Sequence, residues 1–154
     1  MRTRKLAALL SLGFLIPVAS GQTERSVLLP AHELKAVSDR YSLVRSEKYD
    51  GTWEPTKADL DGLDKSISQV SGMKIVGWPS SVHIEHPEKY YRQYLAVLVA
   101  GKKMIFVNAF SYVEEFPHWR DRLVLVEDGD LGFWQALYDP ETMQFSNLRI
   151  NPRA

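Results

Sequence analysis

The sequence predicts an α+β fold, one main helix packed on a curved antiparallel meander sheet, and two observations carry that expectation. A single well-capped amphipathic segment at residues 57–70 is followed, from Met73 onward, by apolar residues that recur with period two. The connections between the later strand-like runs are short and turn-rich. Loops of that length join antiparallel neighbours, because a parallel crossover needs roughly a dozen residues or more.

The first 21 residues stand apart from that domain. Arg2, Arg4 and Lys5 precede the apolar run Leu6–Val18, and the small residues Ala19, Ser20 and Gly21 follow it. This is the n/h/c pattern of a secretory signal peptide, with cleavage expected after Gly21. Its apolar run of 13 residues is shorter than the roughly 20 needed to span a bilayer. An uncleaved interfacial anchor or a buried N-terminal helix are the alternatives. Residues 22–154 then form one α+β domain of about 133 residues, a size at which one core suffices.

Gln22–Arg25 reads as a polar lead-in, and Val27-Leu28-Leu29-Pro30 as a short edge strand. Leu34, Val37 and Tyr41 have helical spacing within Ala31–Tyr41. Tyr49 to Pro55 is a loop by its Asp-Gly and Glu-Pro chemistry. Thr56 then stands as N-cap with Asp59 three residues on, and Leu60, Leu63, Ile67 and Val70 make one apolar stripe that ends at Ser71-Gly72. Strands are expected at Met73–Val76, Ser81–Ile84, Tyr90–Val99, Lys103–Phe110, Arg122–Val126, Gly132–Tyr138 and Phe145–Ile150. Ala100-Gly101-Lys102, Asp128-Gly129-Asp130 and Asp139-Pro140-Glu141-Thr142 read as hairpin turns. Ser111–Asp121 is a longer connection with room for a helical turn. The run Tyr90–Val99 is apolar on both sides, so it belongs mid-sheet with cover on both faces.

One helix on such a sheet resembles the cystatin-like class in shape alone. A second likeness rests on Tyr90-Tyr91-Arg92-Gln93-Tyr94, on Ile105-Phe106-Val107-Asn108, and on the ending Phe133-Trp134, Tyr138-Asp139 and Phe145–Asn151. Over roughly residues 50–154 these resemble a group of small exported bacterial proteins of unassigned function. That resemblance implies export to the periplasm or beyond and a single domain, and brings no catalytic residues.

Composition excludes several function classes. The whole chain balances 19 basic against 19 acidic residues, and loss of the leader's three cations leaves a net charge of about −3. A mildly acidic domain lacks the electrostatic footprint of a nucleic-acid binder. With no cysteine, disulfides, thiolate metal sites and a Cys nucleophile are ruled out. No cofactor motif is present, so no cofactor is expected.

His83-Ile84-Glu85-His86 is the one metal-like cluster, with His118 as the distant third ligand. On a strand, however, His83 and Glu85 share a face that His86 does not, and zinc wants three or four protein ligands. Glu114–Asp121 gathers acids, an imidazole and a guanidinium in one loop, where general acid–base work is chemically feasible. The turn Glu127–Asp130 lacks the later bidentate Glu of a calcium loop. Three of four tryptophans, Trp53, Trp78 and Trp119, lie in loops beside proline, either as contact rings that grip partners at low entropic cost or as caps on the ends of the core against their neighbouring prolines. Arg92 shares a strand face with Tyr90 and Tyr94, either as a structural ion pair or as an anchor for a carboxylate.

The expected function is therefore an exported, non-enzymatic module binding a protein or an envelope component through Trp53, Trp78, Trp119 and Arg92. A small periplasmic hydrolase or metal-dependent enzyme using His83, Glu85, His86 or His118 is the first alternative, and an inhibitor or immunity protein the second.

Overall fold

The computed structural model describes residues 24–40 and 49–151. The leader at 1–21, Gln22 and Thr23 of the lead-in, and Tyr41 lie outside the described residues.

In the described chain, the main helix forms where its capping signals stand. Helix α2 spans Lys57–Ser66, and its first turn is closed by a reciprocal capping box between Thr56 and Asp59. The Thr56 hydroxyl accepts from the Asp59 amide at 3.3 Å, and the Asp59 carboxylate accepts from the Thr56 amide at 2.7 Å. A 3-10 continuation over Ile67–Gly72 carries the stripe onward, so Leu60, Leu63, Ile67 and Val70 are all buried. Gly62 sits where the helix presses on the sheet: a Cβ there would lie 3.1 Å from the Tyr138 hydroxyl.

Among the described residues the architecture is α+β, a six-stranded, mostly antiparallel sheet with two α-helices. Strands β3 (Tyr91–Val99), β4 (Lys102–Phe110), β5 (Asp130–Asp139) and β6 (Gln144–Asn151) form an antiparallel meander. β3 and β4 are joined by the two-residue loop Ala100-Gly101, both at positive φ (48° and 76°), as the twist of a hairpin requires. The β5–β6 turn is fixed by the Asp139 carboxylate, which accepts from the amides of Glu141 and Thr142. At the other edge, β1 (Ser26–Leu28) pairs in parallel with Arg92–Tyr94 and β2 (Tyr49–Thr52) pairs antiparallel with Val97–Val99. Helix α1 covers Leu34–Arg40.

Each sheet face carries its own core, because successive side chains on a strand point to opposite faces. On the front, Leu95, Val97, Phe106, Phe110, Phe133 and Leu137 pack against Val37 of α1 and against Trp119, Leu123 and Val124. On the back, Tyr94, Ile105, Val107, Trp134, Ala136 and Leu148 pack against α2, Ile75 and Ile84. The front cover is the long connection 111–129 between β4 and β5.

Five expectations need correction. Met73–Val76, Ser81–Ile84 and Arg122–Val126 are not strands. Their apolar residues are pegs driven into a core: Ile75 and Ile84 are wholly buried at the back, and Leu123 and Val124 are buried at the front. Only the Val76 amide reaches the sheet edge, donating to the Leu148 carbonyl at 2.9 Å. With Arg122–Val126 unpaired as a strand, Asp128–Asp130 closes no hairpin and simply leads into β5. The supposed loop at Tyr49–Thr52 is β2, its Asp-Gly taken up by a register shift between Tyr49 and Gly51.

Candidate functional site

Strand β3 shares one edge between two short partners. β1 occupies it at Arg92–Tyr94 and β2 at Val97–Val99, so Leu95 and Ala96 lie between them. The chain turns away at Pro30 after β1 and reaches Pro55 after β2. A half-open cleft of about 570 Å³ forms there. Leu28, Leu29, Leu95 and Ala96 give it apolar lining, and Trp53 and Glu54 come from the exit of β2. Arg120 and Arg122 come from the front connection.

Two of these side chains are held before any ligand arrives. The Trp53 indole Nε1 donates to the Met104 carbonyl at 3.0 Å, and the Lys103 ammonium stands 5.1 Å from the ring centroid. Arg120 stacks on Trp119 at 4.3 Å and donates to the Glu24 carbonyl at 3.0 Å. Glu54 and Arg122 are exposed, and among the described residues neither has an ion pair. The cleft thus offers a fixed aromatic wall and two uncommitted charges of opposite sign.

The position of Arg120–Arg122 is set by a row of amides buried in the sheet. Gln93, Asn108 and Gln135 are direct register partners on β3, β4 and β5, all within 2% of full burial. The Gln93 amide nitrogen donates to the carbonyls of Trp119 and Arg122, and its oxygen accepts from the Val124 amide (2.8 Å) and from Asn108 Nδ2 (3.0 Å). Asn108 Nδ2 also donates to the Val124 carbonyl at 2.9 Å, and Asn108 Oδ1 accepts from Gln135 at 3.2 Å. Every hydrogen-bonding position of Gln93 is used. The row ties a strand-free segment to the sheet by side chains in place of a ladder.

The structure separates the residues singled out from sequence. Trp119 is buried in the front core, edge-on to Tyr91 (5.5 Å) and Phe110 (5.9 Å). Trp53 and Trp78 pack against the back core, both half-buried. The three rings therefore form no single surface, and Trp53 is the one that lines the cleft.

Arg92 is 6% exposed and fully engaged. Its Nε donates to the Tyr94 hydroxyl at 2.8 Å, Nη1 to the carbonyls of Glu88 and Tyr90, and Nη2 meets the Asp64 carboxylate at 3.5 Å. Tyr94 in turn donates to Asp64. Burial pushes the Tyr94 phenol far above its usual pKa, so it stays a neutral donor. Arg92 is thus the clamp joining α2, the 87–89 turn and β3.

His83, Glu85 and His86 are exposed, as is His118 on the front connection. His83 pairs with Glu85 at 3.8 Å and His86 with Glu88 at 3.3 Å, so the two imidazoles face different carboxylates. Among the described residues no three metal-ligating side chains converge. No helix of the described residues is long and apolar enough to cross a membrane.

The amide row and Arg122 escaped the sequence reading. Their signal is present as polar interruptions of apolar strands at Gln93, Asn108 and Gln135. Their common phase becomes visible only once strand register is known. Compared with known proteins, the chain matches no family model, no curated protein and no solved structure.

Proposed function

We propose that this chain is an exported, non-enzymatic binding module that holds a protein or an envelope component in the cleft between Leu28–His32, Thr52–Pro55 and Arg120–Arg122. One observation carries the reading: the cleft combines a pinned aromatic ring, Trp53, with the uncommitted charges of Glu54 and Arg122 over apolar lining. A preorganised wall lowers the entropic cost of binding, and the two charges supply orientation. The buried Gln93 amide beneath Arg122 donates to that residue's carbonyl and so fixes the backbone from which the charge projects. The n/h/c pattern of residues 1–21 supports export.

Affinity capture from envelope extract tests the binding reading. The wild-type protein is expected to enrich one component stoichiometrically, and Arg122→Glu or Glu54→Arg to lose it while melting as the wild type does. Capture indifferent to both substitutions would refute the cleft. Export is tested separately by the N-terminus of protein recovered outside the cytoplasm, expected at Gln22; a retained Met1 there would refute cleavage.

A further inference from the structure

The connection 111–129 carries a second concavity, away from the amide-pinned stretch. A groove of about 620 Å³ lies between Ser111–Phe116, Leu125–Gly129 and the start of β5. Within it the Tyr112 ring stacks on Phe116 and meets Phe133 edge-on, each at 5.5 Å, yet it remains 36% exposed. Leu125 is 44% exposed beside it. Three carboxylates, Glu115, Glu127 and Asp128, line the same groove, and none of its lining residues is basic.

Those acids do not form a metal site, since among the described residues no three ligating side chains converge. What the rim does hold is a guanidinium: Arg40 Nη1 lies 3.4 Å from Glu127 Oε1, with both side chains largely exposed. Exposed pairs of this kind are weak and exchangeable. Glu115 and Asp128 have no ion pair among the described residues.

We propose that this groove binds a polypeptide segment carrying Lys or Arg side chains. Cationic heads reach Glu115, Glu127 and Asp128, and a guanidinium from the partner can take the place of Arg40. The exposed part of the Tyr112 ring adds a cation–π contact, and Leu125 receives the aliphatic stem. This surface is independent of the Trp53 cleft, whose uncommitted charges include a cation.

Two labelled peptides of equal length, one alternating Lys with Leu and one alternating Glu with Leu, are titrated onto the protein by fluorescence anisotropy. The Lys peptide is expected to bind at least about tenfold tighter than the Glu peptide, a preference that rising salt erodes. The double variant Glu115→Gln/Asp128→Asn should weaken it roughly tenfold, about 1.4 kcal/mol. Tyr112→Ser should weaken it at unchanged charge. Neutralising a distant exposed pair, Glu85→Gln/Glu141→Gln, should leave it intact. No binding, equal binding of both peptides, or an equal loss from the distant pair would overturn the proposal. All these positions are exposed, and unchanged melting verifies that each variant is folded.

Discussion

Replacing Trp119 by alanine tests whether the front connection is a packed layer of the fold. The ring is 8% exposed and meets Tyr91 and Phe110 edge-on, at 5.5 and 5.9 Å. Burying an indole removes about 200 Å² from water, which at about 25 cal/mol per Å² sets a ceiling near 5 kcal/mol. Alanine keeps a little of that area, and a connection lying over the sheet can settle partway into the gap. The expected loss is therefore about 3 kcal/mol, the lower end for a buried Trp→Ala. For a domain of this size that lowers Tm by roughly 10 °C. Trp119→Phe, which keeps an aromatic ring, should lose only about 1 kcal/mol. Urea and thermal unfolding followed by circular dichroism measure both. A loss below about 1 kcal/mol for Trp119→Ala would show that the ring is not packed and would refute the front core as described.

Three further outcomes are expected. Gln93→Leu strips partners from the buried carbonyls of Trp119 and Arg122 and the Val124 amide, and should cost about 3 kcal/mol or more, with Val124 losing hydrogen-exchange protection; protection unchanged at Val124 would contradict it. Ala100 is held at φ 48°, so Ala100→Asn should stabilise by about 0.5–1 kcal/mol in the same unfolding assay, whereas destabilisation would count against the hairpin geometry. Asp139 gives a pH dependence. Burial raises its pKa, but Lys102, Thr142 and the Glu141 and Thr142 amides outweigh that and hold it below the ordinary 3.8. Its contribution is full above the unfolded value and lost as pH falls through the lower folded one. Tm measured from pH 5 downward should therefore fall less steeply in Asp139→Asn than in wild type, and identical slopes would contradict the assignment.

Much of the fold was legible because its signals are local. The Thr56–Asp59 box, the stripe Leu60–Val70 and the Ala100-Gly101 turn each specify geometry within a few residues, and short loops give the β3–β4 and β5–β6 hairpins, whereas the β4–β5 connection is long enough for a crossover and its antiparallel pairing is not set by loop length. The false strands show the limit. Ile75, Ile84, Leu123 and Val124 are buried as a strand residue would be, but none belongs to the sheet ladder, the Leu123 and Val124 amides donating instead to the Glu33 and Gln93 side chains, and period two cannot distinguish a peg from a ladder. β2 was hidden by Asp-Gly chemistry that a register shift absorbs. The same holds for the site. Arg92 reads as a candidate anchor until Asp64, Tyr94 and the 87–89 turn are seen to consume its donors. Trp119 reads as a loop aromatic until it is found under the connection it belongs to. The cleft itself arises from two short strands sharing one edge of β3, an arrangement set by pairing between segments far apart in sequence.

The claim that the cleft beside β3 is where this protein holds its partner is tested most directly by site-specific photo-crosslinking in the cells that make it. A photoreactive amino acid placed at Glu54 or Arg122 should yield one discrete higher-mass adduct, the same from both positions, and none from exposed Ser68 beyond α2. Adducts from Ser68 alone, or none from either cleft position, would contradict it.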